Sequence, residues 1–107
     1  MTIEENKITS ILNQVFEVEK KIQGTSLEKS LLRNLNRIKM PLEEMGYRSH
    51  NPLGEAYDLT RLDCEAMVAG EGADQLRIVE VIKPIIYFQE NGNNTLIQKA
   101  VVITETS

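Results

Sequence analysis

The stretch LRIVEVIKPIIYFQENGNNTLIQKAVVIT, residues 76–104, decides the fold of this chain. Its first part, residues 76–88, is dense in β-branched and aromatic side chains and is the best strand region of the sequence. Pro84 interrupts this region and cannot donate to a sheet ladder, so we expect a bulge or an edge position there. Residues 90–94 predict a hairpin turn, because Asn-Gly readily accepts positive φ angles.

The return strand of this hairpin is predicted over residues 95–104. Its apolar residues fall on both faces, with Leu96, Ala100 and Val102 on one and Ile97, Val101 and Ile103 on the other. Both faces must then be covered, so the pattern predicts a small sandwich or a folded-over sheet. Residues 65–69 predict a shorter strand that ends in a turn over residues 70–74, and residues 49–54 have the chemistry of a loop.

Upstream of residues 46–52 the apolar residues follow a helical period, and the first helix is predicted over residues 3–23. Its stripe comprises Ile8, Ile11, Val15, Val18 and Ile22, widened by Leu12 and Phe16. Thr2 with Glu5 predicts a capping box at the start of this helix. Gly24 is placed to end it in a left-handed conformation.

A second helix is predicted over residues 26–45. Its stripe comprises Leu31, Leu35, Ile38, Leu42 and Met45, with Leu27 and Leu32 beside it. Thr25 with Glu28 predicts another capping box. Pro41 lacks the amide that a helix interior needs, so we expect a kink or a break there. Gly46 is expected to stop the helix.

A connection as short as Gly24-Thr25 predicts an antiparallel helix pair. The two narrow stripes can be covered by a second copy, which gives a dimeric four-helix bundle, or by the chain's own sheet. The periodicity leaves both arrangements open. The predicted class is therefore α+β, with a helical hairpin over residues 1–47 and a small β-rich head over residues 48–107.

The chain has 107 residues, of which 41% are hydrophobic and 26% charged. This length and composition are typical of a globular protein with a single hydrophobic core. The net charge of -4 disfavours binding to nucleic acid, which calls for a basic surface. No apolar run approaches the roughly 20 residues that span a bilayer, and the acidic, polar first residues predict no secretory signal. Cys64 is the only cysteine, so no intrachain disulfide can form. These features predict a cytoplasmic protein.

Catalytic and metal-binding patterns are weak in this sequence. Cys64 and His50 are the only candidates for a nucleophile and its base, and no orienting motif surrounds them. The acidic clusters, Glu43-Glu44 and Asp58, Asp63 and Glu65, are interpreted as solvated or capping groups. Residues 70–72, Gly-Glu-Gly, lack the Lys-Ser/Thr that follows in a phosphate loop. We therefore expect no enzymatic activity, no cofactor and no metal.

Several short motifs occur in a characteristic order in the second half of the chain. They are Met45-Gly46-Tyr47, Pro52-Leu53-Gly54-Glu55-Ala56-Tyr57-Asp58, Glu65-Ala66-Met67-Val68, Val79-Glu80-Val81-Ile82-Lys83 and Leu96-Ile97-Gln98-Lys99-Ala100-Val101-Val102-Ile103. This series resembles the β-rich head of the GrpE nucleotide-exchange factors of DnaK-type chaperones. The two predicted helices match the pair that forms the dimeric bundle in that family.

The sequence departs from the family at a few points. GrpE carries a long paired helix before its bundle, and residues 1–107 contain no counterpart to that helix. The Lys-Gly-Tyr turn of the family is replaced by Pro84-Ile85-Ile86-Tyr87, the Pro that follows Phe-Asp is Leu59, and the Arg after Leu-Leu is Gln98.

The resemblance implies a co-chaperone that binds the nucleotide-binding domain of a DnaK-type chaperone and promotes ADP release. It places the partner contacts at Tyr57, Asp58, Leu59, Ile82, Lys83, Asn93, Asn94, Thr95 and Thr104. The two apolar stripes, taken as the seam of the dimeric bundle, predict a dimer interface at Ile8, Ile11, Val15, Val18, Ile22, Leu31, Leu35, Ile38 and Leu42. The alternative is a GrpE-like dimerising or anchoring module that does not drive exchange.

Overall fold

The structure is a computed structural model that describes residues 2–68 and 75–106. The elements are α1 (Ile3–Ile22), α2 (Glu28–Glu44), β1 (Tyr47–His50), β2 (Ala56–Tyr57), β3 (Cys64–Val68), β4 (Leu76–Lys83), β5 (Ile85–Glu90), β6 (Asn93–Gln98) and β7 (Ala100–Thr106). Two contacting antiparallel helices precede a β-rich region, which confirms the predicted α+β class. The turn predicted over residues 70–74 lies outside the described residues. In the described ranges, no helix is long and apolar enough to cross a membrane.

The strands form two sheets, as the apolar pattern of the return strand predicted. One sheet has the order β1-β5-β6 and the other has the order β2-β4-β7-β3. All neighbours are antiparallel except β3 and β7, which run parallel. Each sheet therefore takes strands from distant parts of the chain.

One long hairpin, bent at its middle, connects the two sheets. Its first arm consists of β4 and β5 with Pro84 between them, and its second arm consists of β6 and β7 with Lys99 between them. The β5–β6 halves pair in one sheet and the β4–β7 halves in the other. Pro84 marks the passage between the two sheets, and the register shift between Val81 and Lys83, directly before it, agrees with the bulge that was one of the two expectations there. The single return strand over residues 95–104 is likewise divided at Lys99.

The corner of the bent hairpin is held by Gln98. Its Nε2 donates to the carbonyl oxygen of Pro84 at 2.9 Å and to Oδ1 of Asn13 at 2.9 Å. Asn13 Nδ2 in turn donates to Gln98 Oε1 at 3.0 Å. These three bonds tie both arms of the hairpin to the middle of α1.

Two adjacent residues next to the corner, Ile85 and Ile86, are both 0% exposed. Since successive side chains of a strand point to opposite faces, the strand is covered on both sides. On one side lies a cluster that includes Phe16, Tyr57, Cys64, Ile78, Val81 and Val102. On the other side lie Ile8, Leu12, Leu42 and Tyr47. The helices thus pack on the chain's own sheet, one of the two arrangements that periodicity left open.

The local features of α1 agree with the sequence. The capping box is confirmed, because Glu5 N donates to Thr2 Oγ1 at 3.0 Å and Thr2 N donates to Glu5 Oε1 at 2.8 Å. Gly24 has a φ of 79°, as predicted for the residue that ends the helix. The predicted hairpin turn is also confirmed, with Asn91 at a φ of 53° and Gly92 at 81° between the paired residues Glu90 and Asn93.

The predicted start of α2 was wrong. Leu27 is the N-cap and makes no side-chain cap bond. Thr25 and Glu28 instead form hydrogen bonds with residues that precede them in the chain. Thr25 Oγ1 donates to the carbonyl oxygen of Ile22 at 2.6 Å, and Glu28 Oε1 accepts from Gly24 N at 3.3 Å. Both side chains thus stabilise the end of the preceding helix, and Glu28 N donates to the carbonyl oxygen of Thr25 at 3.3 Å rather than to its hydroxyl.

Two further expectations were overridden by context. Of the kink or break expected at Pro41, the break is absent, because α2 continues through Pro41 to Glu44. Pro41 and Arg37 are both exposed, so water can bond the Arg37 carbonyl that proline leaves without a donor. Ser49 and His50, predicted to lie in a loop, belong to β1 and pair with the buried strand β5. Strand pairing over a core prevails over local loop preference.

Two glycines with positive φ angles give a matched pair of substitutions. Gly92 has a φ of 81°, and in the described part of the chain no heavy atom outside Gly92 and its two chain neighbours lies within 4 Å of the position that a Cβ would take. At Gly46, with a φ of 104°, that position lies 2.6 Å from the Gln89 carbonyl oxygen. We expect Gly92→Ala to cost about 1–2 kcal/mol, which is the strain of a left-handed residue. Gly46→Ala should cost at least about 2 kcal/mol more, since the backbone must also move. Urea unfolding of the two variants measures the difference, and equal losses would contradict the close approach at Gly46.

Candidate partner-binding surface

The loop that carries the Pro52 to Asp58 motif is anchored on β4. Gly54 N donates to the Ile78 carbonyl oxygen at 2.9 Å, and Ile78 N donates to the Glu55 carbonyl oxygen at 2.9 Å. The short strand β2 then pairs with the first two residues of β4. Pro52 and Tyr57 are buried beneath the loop. The motif therefore builds an extension of the four-stranded sheet.

Arg61 closes this loop on itself. Its Nε donates to Asp63 Oδ1 at 2.6 Å, its Nη2 to Glu55 Oε1 at 2.7 Å and its Nη1 to the Ala56 carbonyl oxygen at 2.9 Å. The side chain is only 20% exposed. A planar guanidinium has its donors in a fixed fork, so three acceptors at once define the loop's shape.

Two further residues connect this arrangement to the other sheet. His50 Nε2 lies 2.5 Å from Glu55 Oε2, and Tyr87 donates its hydroxyl to Asp63 Oδ2 at 3.3 Å. We call Arg61, Glu55, Asp63, His50 and Tyr87 the Arg61 network. His50 lies on β1 and Tyr87 on β5, both in the three-stranded sheet, so the network ties the loop, which is anchored on β4 of the four-stranded sheet, to the other sheet as well.

The ionisation of the carboxylates follows from these bonds. The Arg61 hydrogen bond lowers the pKa of Asp63. Burial by itself would raise the pKa of Glu55, but the bonds from Arg61 and His50 outweigh it and lower that pKa. Both carboxylates are thus held in the charged form that the guanidinium requires.

Cys64 lies next to the Arg61 network, where burial raises the pKa of its thiol to about 11. The thiolate, which is the nucleophilic form, is therefore scarce near pH 7. His50, the base considered from the sequence, is bonded to Glu55. In the described ranges, no group of three or more His, Cys, Asp or Glu side chains is arranged to hold a metal.

The closed loop exposes two large apolar side chains, Leu59 at 88% and Leu62 at 78%. Asp58 accepts hydrogen bonds from the two residues that separate these leucines. Its Oδ1 accepts from Thr60 N at 2.8 Å, and its carbonyl oxygen accepts from Arg61 N at 3.1 Å. Apolar side chains on an ordered, exposed loop are typical of partner-binding sites. We call residues 58–63 the leucine loop. The sequence analysis predicted Leu59 as a partner contact but did not include Leu62, a second leucine three residues later.

The other predicted contact residues divide into buried and exposed sets. Tyr57 at 8% and Thr104 at 3% exposure belong to the chain's own interior, so their assignment as surface contacts is corrected. Ile82 is half-buried at the hairpin corner, and Lys83 beside it is exposed. The exposed residues at the hairpin tip are Asn93, Asn94 and Thr95.

The exposed predicted contacts do not form one compact patch. The leucine loop follows β2, which pairs with Leu76 and Arg77 at the beginning of β4. Lys83 ends that strand, seven residues on, which corresponds to roughly 23 Å at about 3.3 Å per residue. A partner that contacts both the start of the leucine loop and Lys83 must therefore extend along β4.

The residues predicted for a dimer interface are likewise divided. Ile8 and Leu42 pack beneath the three-stranded sheet, and Val15, Ile22 and Leu35 form a cluster between the helices, with Leu31 packed against it. The exposed members are Ile11 at 43%, Val18 at 36% and Ile38 at 45%. Together with Val15 and Leu35 they line an apolar groove of about 310 Å³, which we call the helix groove.

Compared with protein families, with curated proteins and with solved structures, the chain matches none.

The Arg61 network makes the leucine loop sensitive to acid. The folded-state pKa values of Asp63 and Glu55 are lowered, so their contribution to stability is present above the ordinary values of about 4 and is lost as the pH falls below them. We expect the protection of the backbone amides over residues 55–63, measured as the exchange rate relative to that of an unfolded peptide at the same pH, to fall as the pH drops below about 4, ahead of that of α1. In Arg61→Gln, which should cost about 1–2 kcal/mol, this acid dependence should be shallower. An identical pH profile in that variant would contradict the network's role.

Proposed function

We propose that this chain is a GrpE-like co-chaperone that binds the nucleotide-binding domain of a DnaK-type chaperone and promotes the release of ADP. The observation that carries the proposal is the ordered series of motifs between Met45 and Ile103. Its support comes from the architecture, because a helix pair followed by a β-rich head is the arrangement that the resemblance implies. The Pro52 to Asp58 motif leads directly into the leucine loop, which is a surface of the kind that such binding needs.

Exchange of this kind requires no reacting group in the factor. A protein that binds the open conformer of a nucleotide-binding domain better than the closed one shifts the population toward release. The shift is bounded by the difference between the two affinities. Leu59 and Leu62 are suited to act as apolar anchors, and Lys83 adds a charge farther along the same hairpin.

The test of this proposal is release of a fluorescent ADP from a DnaK-type chaperone, with and without the chain. We expect acceleration by the wild type, and a loss of about 10- to 100-fold in affinity for Leu59→Asp and for Leu62→Asp, which is the scale of a buried anchor. Lys83→Glu should lower the association rate, because it reverses a charge at the interface.

Leu27→Asp is the matched control, since it makes the same change at a leucine that is 58% exposed and distant in sequence from the leucine loop. It should behave as the wild type. If the chain binds the chaperone in calorimetry without accelerating release, the exchange proposal fails and the anchoring module takes its place. If no binding is detected, both proposals fail.

The helix groove favours a homodimer as part of this function. A second copy that lays its own α1 and α2 against Ile11, Val18 and Ile38 would remove these side chains from water, and one self-complementary surface closes a twofold dimer. Val15 and Leu35 are buried within one copy, so a charged substitution there would also unfold the chain. A test of the dimer therefore needs substitutions at exposed members of the groove, such as Val18 and Ile38.

We therefore expect the double variant Val18→Asp/Ile38→Asp to sediment as a monomer and to retain its helical circular dichroism. Placing two carboxylates in the contact would cost several kcal/mol per buried charge. The wild type should sediment as a dimer in the high micromolar range. A wild-type monomer at that concentration would exclude the dimer, and would leave the exchange proposal to be decided by the ADP assay.

A further inference from the structure

The turn at the tip of the long hairpin holds the one Asn-Gly pair of the sequence, Asn91 and Gly92. Both residues are exposed, and they connect Glu90 to Asn93, which pair at the end of the β5–β6 ladder. Asparagine and glycine suit the positive φ angles of such a turn. They also place a side-chain amide carbon next to a main-chain nitrogen with which it can react.

The reaction takes place within the chain. The main-chain nitrogen of Gly92 forms a bond to Asn91 Cγ, which closes a five-membered succinimide ring and releases the side-chain nitrogen as ammonia. Water then adds to one of the two ring carbonyl carbons and opens the ring. Opening at Cγ leaves an aspartate, and opening at the main-chain carbonyl carbon leaves an isoaspartate, whose main chain passes through Cβ and Cγ. Water is the only other reactant.

Three features of the turn leave the Gly92 nitrogen free to attack. Within residues 2–68 and 75–106, neither this amide nor the Asn91 side chain has a hydrogen-bond partner. In the same ranges, no heavy atom outside Gly92 and its two chain neighbours lies within 4 Å of the position that a Cβ would take, so the ring has room to form. The glycine itself has no side chain that could shield its nitrogen.

The turn must also change its shape for the ring to close, because Asn91 and Gly92 start from φ angles of 53° and 81°. The ladder pair nearest to the turn is Glu90 with Asn93, and both residues are exposed. Exposed ends of a structure open at a small fraction of the global free energy of unfolding. The fold therefore does not hold the turn away from the reactive geometry.

The other asparagines of the chain lack this combination. Asn51 precedes Pro52, whose nitrogen carries no hydrogen. Asn93 and Asn94 precede residues with side chains, which shield the following nitrogen. Four more lie within helices, where the following amide donates to the carbonyl oxygen four residues earlier. They are Asn6, Asn13, Asn34 and Asn36.

We infer that Asn91 is a site of spontaneous deamidation, which converts the turn into a mixture of aspartate and isoaspartate forms. Aspartate tolerates the left-handed conformation as asparagine does, so this product keeps the turn and adds one negative charge. Isoaspartate adds a main-chain carbon to a two-residue turn, and loop length sets the register of a hairpin. The β5–β6 ladder therefore opens from its tip in that product. This chemistry is independent of the proposed exchange function.

The test incubates the full chain in buffered H₂¹⁸O and maps its peptides by mass spectrometry. One ¹⁸O should replace the side-chain nitrogen at Asn91 at least about tenfold faster than at any other asparagine. Part of the product should accept a methyl group from an isoaspartyl methyltransferase, since ring opening gives both isomers and direct hydrolysis of the side-chain amide gives only aspartate. Faster reaction at another asparagine would overturn the inference, and so would a product without isoaspartate.

Two variants separate ring closure from simple exposure of the tip. Asn91→Gln would need a larger ring, and Gly92→Ala shields the nitrogen, so each should slow the reaction at this turn at least about tenfold. Asn36→Gln, at an exposed position on α2, is the matched control and should leave the rate at Asn91 unchanged. Equal rates in wild type and Gly92→Ala would overturn the inference.

A blocked peptide with the sequence of residues 89–93 shows how far the fold restrains the reaction. Asn91 in the full chain should react at no less than about one-hundredth of the rate in that peptide, because only the end of the ladder has to open. A lower rate would show that the turn protects Asn91, and would overturn the inference.

Discussion

The bend of the long hairpin at Pro84 and Lys99 sets the positions of both sheets and of α1. It sends β5 and β6 into one sheet and β4 and β7 into the other. Gln98 bonds the Pro84 carbonyl oxygen and Asn13, so the bend and the position of α1 are set together. Next to this corner, Ile85 and Ile86 face opposite sides of one strand and are both fully buried. Two clusters on opposite faces can therefore form in a chain of this size.

Helix α1 contributes to several surfaces because the corner holds it at its middle. Its apolar residues divide between the sheets and α2, and a row of polar residues that includes Asn6, Asn13 and Gln14 lines a groove at the corner. Near its end, Lys20 Nζ donates to the Val81 carbonyl oxygen at 2.9 Å, on a part of β4 that β2 does not reach. The ammonium also lies 5.5 Å from the centroid of the Phe16 ring. Lys20 of α1 thus donates to a β4 carbonyl oxygen the hydrogen bond that a neighbouring strand would otherwise donate.

The candidate partner surface was predicted in part. The motif around Asp58 indicated Leu59, and its exposure agrees with that prediction. Leu62 was missed because its exposure depends on Arg61, whose three acceptors come from both sides of the loop. Tyr57 was assigned to the surface by its place in the motif, yet it alternates into the core because β2 pairs with β4. The grooves beside α1 could not be predicted, since they lie between elements far apart in the sequence.

The features that arise from neighbours within about four residues could be predicted directly from the amino-acid sequence. These include the helical period of α1, the box formed by Thr2 and Glu5, and the tight turn at Asn91 and Gly92. Only the tertiary structure decided how one strand region is divided between two sheets, and that Ser49 and His50 form a strand. It also decided which apolar stripe residues are covered within one copy. The physical reason is that helix caps and turns are closed by local hydrogen bonds, whereas sheet membership and burial depend on contacts between distant residues.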